Sequence, residues 1–117
     1  MSREADTPRP PRNRRTSADR LRSALAEIHG NQGRILTHTE KPWASITFAG
    51  TRHSLALLFT GEEAVAAGEI FVAELPDHEF AIPGQLVADA GVIEVAHRLL
   101  PEPRMVVQCA LLLLEES

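Results

Sequence analysis

Apolar and polar residues alternate from Trp43 to Thr60, in WASITFAGTRHSLALLFT, and no other stretch constrains the fold as strongly. Successive side chains of a strand point to opposite faces, so this period of two marks strands lying on a core. A two-residue turn at Gly50-Thr51 would join two of them, because glycine suits a tight hairpin turn. That turn sets Phe48 opposite His53, Ile46 opposite Leu55 and Ala44 opposite Leu57. The inner face then holds Ala44, Ile46, Phe48, His53, Leu55, Leu57 and Phe59. The outer face holds Trp43, Ser45, Thr47, Arg52, Ser54, Ala56 and Leu58.

Other elements arrange themselves around this ribbon. Leu21, Ala24, Leu25 and Ile28 form a narrow helical stripe, predicting a helix from Ala18 to about His29 with Ser17 as its cap. Gly30 stands where a helix ends in positive φ. Ile35–Thr39 suits a short strand, ended by Pro42. Thr60 and Glu63 have the spacing of a capping box for a second helix, from about Gly61 to Leu75, which Pro76 stops. Ala64, Ala67, Gly68, Phe71 and Leu75 give it one face that can lie close to a sheet. After a loop from Asp77 to Gln85, strands are expected near 86–99, bent at Gly91, and 105–115, joined through Pro101–Arg104. The expected fold is α+β and two-layered: an antiparallel sheet of four to five strands, helices on one side, order α-β-β-β-α-β-β.

The last strand is apolar on both faces. Val107, Cys109, Leu111 and Leu113 fit one; Val106, Ala110, Leu112 and Leu114 fit the other. A strand greasy on both sides is covered on both sides. The second set is therefore the expected interface of a homodimer, since an unshielded apolar face invites association.

Residues 1–16 lack apolar periodicity and carry Pro8, Pro10 and Pro11, so they read as a disordered basic arm before a single domain over 17–117. Charge divides unevenly: residues 1–22 carry a balance of +4, the remainder −8. An acidic body repels the phosphates that an arginine-rich arm would attract, which makes nucleic acid an unfavoured partner. Tyrosine is absent and aromatic residues make up 4%, too few for a base-stacking platform. A lone cysteine, Cys109, forbids an intrachain disulfide and fits a cytoplasmic location. The longest apolar run is far below the ~20 residues of a membrane span, and the polar N-terminus shows no secretory signal.

No signature names a chemistry. The spacings of His29, His38, His53, His78 and His97 along the chain are not those of metal ligands, so neither a metal nor another cofactor is expected. His53 and His97 fall on inner faces near hairpin turns, where either could serve as a general base. If the second helix carries the chain back along the sheet, the two turns lie at opposite ends and these imidazoles meet only across a two-fold dimer. Arg52 with His53 at the corner, and Asp77-His78-Glu79 after the second helix, are the polar clusters that could bind a small ligand. No G-x-S-x-G turn and no glycine-rich phosphate loop is present. The element order is similar to that of small acidic secretion-type chaperones, a likeness of architecture with no motif behind it. The reading that best fits is a non-enzymatic binding or assembly module with a protein partner. A pocket enzyme based on His53 or His97 is the first alternative, and nucleic-acid binding through the arm the second.

Overall fold

The computed structural model describes residues 15–116. Helix α1 spans Ser17–His29 and helix α2 Glu62–Glu74; the strands are β1 (Arg34–Ala44), β2 (Ala49–Thr60), β3 (Gln85–Arg98) and β4 (Arg104–Glu115). A short 3₁₀ turn, Leu75–Asp77, follows α2. The four strands form one antiparallel sheet in the order β1-β2-β4-β3, both helices pack on one face, and the fold is α+β as expected. All but Arg15 and Thr16 of the expected basic arm lies outside the described residues.

The first hairpin differs from its sequence reading. Ala44 pairs with Ala49, so the turn lies at Ser45–Phe48 and not at Gly50-Thr51. Serine chemistry closes it: the Phe48 N–H donates to Ser45 Oγ at 3.1 Å, and the Ser45 N–H to the Phe48 carbonyl at 2.7 Å. Gly50 is a strand residue. A Cβ there would fall on the Leu113 carbonyl and come within 2.9 Å of Leu114 Cα, so β2 can approach β4 at this point only as glycine. The register shifts accordingly. Glu40 faces His53, His38 faces Leu55 and Ile35 faces Leu57. The expected strand at Ile35–Thr39 and the segment through Trp43 are one strand, which leaves four among the described residues. Ala44, Ile46 and Phe48, expected inside, are exposed.

The caps differ too. Thr16, not Ser17, begins α1: it accepts from the Asp19 N–H at 3.0 Å while Asp19 accepts from the Thr16 N–H at 3.2 Å. Thr60 makes no such box. It stays in β2 opposite Arg104, and α2 starts from Gly61 (φ 96°), whose N–H donates to the Pro103 carbonyl at 2.9 Å. Gly30 does end α1 in the left-handed conformation, at φ 63°.

One core fills the space between layers. Leu21 and Leu25 of α1 and Phe71 of α2 meet Leu55, Leu57 and Phe59 of β2 and Val107, Cys109, Leu111 and Leu113 of β4. Leu21 and Leu25 carry the α1 stripe into the centre of the core, with Ala24 and Ile28 packed at its margin. Each fully buried leucine or phenylalanine contributes roughly 2 kcal/mol over its exposed state. Gly68 lets α2 settle onto the sheet: a Cβ there would meet the Phe59 ring at 2.9 Å and Met105 Sδ at 3.0 Å. Burial pushes the Cys109 thiol up to about 12.

Among the described residues, no helix lies on the opposite face of the sheet. Rows cross it in register: Trp43, Gly50, Leu114, Leu86; then Lys41, Arg52, Leu112, Asp89; then Thr39, Ser54, Ala110, Gly91. Leu112 and Leu114 are each only 7% exposed within these rows. Among the described residues the second apolar face of β4 carries no helix, yet it is less bare than its composition implied. β3 bends at two bulges, at Ala88 and Ile93, which flank Gly91.

Candidate functional site

The corrected register assembles a polar cluster on the helix-covered face. His38 and Glu40 are two apart on β1 and share that face; His53 lies on the adjacent strand, directly opposite Glu40. His38 Nε2 and His53 Nδ1 are 2.9 Å apart, with the rings tilted at 54°. From α1, Arg22 Nη1 reaches His38 Nδ1 at 2.8 Å, and its Nη2 pairs with the Asp19 carboxylate. His53 is buried, His38 half-buried and Glu40 exposed.

Hydrogen-bond roles follow from chemistry. A guanidinium can only donate, so His38 Nδ1 accepts. His38 then carries its proton on Nε2 and donates it to His53 Nδ1. The chain of bonds runs in one direction, from Arg22 through His38 to His53, with Asp19 anchoring its head. Desolvation lowers the pKa of both imidazoles; His53 and Arg22 lower that of His38 further, and Glu40 opposes the shift in each. Both rings are therefore neutral at pH 7. The Asp19 carboxyl is lowered chiefly by the Thr16 N–H, then by the Thr16 hydroxyl and Arg22. One residue thus caps α1 and orients the arginine.

The remaining expected site residues scatter. His97 pairs with Met105 and His53 with Leu111, six residues away along β4, or about 20 Å, so the two do not meet. Arg52 projects to the open face while His53 points to the core, which dissolves that cluster. Asp77 and Glu79 are exposed, and His78 packs edge-on to Phe80 at 4.6 Å. His78 and Glu79 border an open depression of 670 Å³ with Phe80, Ile82 and Leu86. Another, of 700 Å³, lies beside the first turn, between Phe48, Leu86, Leu114 and the carboxylates Glu115 and Glu116. Val106, Ala110, Leu112 and Leu114 share the helix-free face.

Reading the sequence missed Glu40, Arg22 and the role of His38. Spacing along one strand hides partners on the next, and the turn at Ser45–Phe48 is what brings Glu40 to His53. The signal that could have found them is the polar i, i+2 pair His38-x-Glu40 on a strand facing a core.

No family model and no curated protein matches the chain. Among solved structures, a chain from the virion of native gene transfer agent particle is similar. It has a TM-score of 0.56 and 13% identity, over 86% of this chain and 92% of that chain. At that identity the likeness is one of fold.

Proposed function

We propose that this chain is a non-enzymatic assembly subunit that buries its helix-free sheet face and hairpin tips against other protein chains. The carrying observation is where its exposed large apolar residues lie. Ile46 (102%) and Phe48 (50%) stand at one hairpin tip, Leu99 (68%) and Leu100 (76%) at the other, and Leu86 and Ile93 flank the open face. Large apolar side chains exposed at both tips and beside the open face give the molecule surface suited to a partner. The fold shared with a chain of a gene transfer agent virion supports the same reading, because that protein is part of an assembled particle.

The simplest partner is a second copy, with Val106, Ala110, Leu112 and Leu114 near a two-fold axis. The edges favour face over edge association: β1 carries Lys41, Pro42 and a bulge, and β3 carries two bulges. Sedimentation of the full chain tests this, with Ala110→Glu placing a charge at the centre of the face. Self-association in the parent and its loss in the variant, with circular dichroism unchanged, is the expected result. A parent that stays monomeric at high concentration overturns the homodimer.

A further inference from the structure

We propose that His38, Glu40 and His53 form a binding site for a divalent transition-metal ion of the zinc class, with Arg22 competing for it. The nitrogen and oxygen donors of all three residues lie within 4.8 Å of one another. One ion at about 2.0–2.2 Å from each donor fits such a spacing after a small turn of the exposed Glu40 side chain. Two imidazoles and one carboxylate make a ligand set that zinc-class ions favour, and one coordination position would stay open towards solvent on the Glu40 side.

The scaffold suits the task. Two ligands share one face of β1 and the third lies across the ladder, so backbone pairing holds their spacing. His53 is 1% exposed and fixed in the core, while His38 and Glu40 stand towards the sheet edge, where an ion can enter.

The hydrogen bond between the rings occupies the ion's place. Binding needs the lone pair of His38 Nε2, so the His38 proton must move to Nδ1. Arg22 opposes that change, because its Nη1 donates to the same Nδ1. Its positive charge also repels a second cation. Metal and arginine thus select opposite tautomers of His38.

Calorimetry of the untagged full chain with Zn²⁺, and the visible spectrum with Co²⁺, test the site. One ion per chain is expected. His38→Ala, at the half-buried ring, should weaken binding by at least about 10-fold, Glu40→Gln should weaken it less, and Arg22→Gln should strengthen it. His53→Ala should abolish binding; because it opens the core, the His38 and Glu40 variants carry the test if it fails to fold. No uptake by the parent chain overturns the proposal. So does uptake that survives both His38→Ala and Glu40→Gln, or affinity that does not rise in Arg22→Gln.

Discussion

Gly50 shows how one residue can be misread from its type and understood from its neighbours. Glycine between alternating residues suggests a turn, yet here it admits the β4 backbone at the centre of a sheet. Gly50→Ala should destabilise the fold by at least about 1–3 kcal/mol, because backbone cannot step aside as a side chain can. Gly91, also in a strand, has nothing within 4 Å of a would-be Cβ. Gly91→Ala should be neutral or stabilise by up to about 1 kcal/mol, and urea unfolding of the two variants separates the cases. His29 supplies the pH dependence. It is 4% exposed, stands edge-on to Phe59 and Phe71, and accepts the Gly33 N–H on Nδ1 at 3.1 Å. Desolvation lowers its pKa below 6.5. The unfolded chain therefore takes up this proton first, and the stability the neutral ring confers is present above about pH 6.5 and lost as pH falls through its folded pKa. His38 and His53 shift in the same direction. Urea midpoints between about pH 7.5 and about pH 5 should fall for the parent and fall less for His29→Gln.

At the level of elements, hydrophobic period was the dependable guide. The faces of β2 from His53 to Phe59 and of β4 from Val107 to Leu113, the α1 stripe and the buried side of α2 could all be read from spacing. Pairing could not. Period two fixes which residues share a face, but a hairpin register depends on where the chain reverses, and Ser45 side-chain bonding gives a weaker sequence mark than glycine. That one displaced turn also concealed the His38–Glu40–His53 grouping. Caps show the same ambiguity: Thr60-Gly61-Glu62-Glu63 looks like a capping box, while Thr16-Ser17-Ala18-Asp19 is one. Thr16→Ala should cost about 1 kcal/mol and Thr60→Ala much less, as thermal unfolding would show.

The described residues form a slab, 57 × 44 × 21 Å along its principal axes. Its thin dimension is that of one sheet and one helix layer, so among the described residues one face of the sheet is left without a covering layer. Composition revealed the excess of apolar side chains on β4; the cross-sheet rows set Arg52 and Asp89 beside Leu112 and Leu86 beside Leu114, and both leucines are largely sheltered. That shelter moves weight from the centre of the face to its rim and tips, where Ile46, Leu99 and Leu100 stand free. Cys109, in the middle strand pair, bears on how such a slab can be studied. It is the chain's one thiol, 1% exposed, and shielded by the layer above it. A maleimide or disulfide reagent cannot touch it while the layers stay together. Each molecule that becomes labelled has parted its helices from its sheet at least once, so the labelling rate is a clock for opening, written into the chain without any added probe.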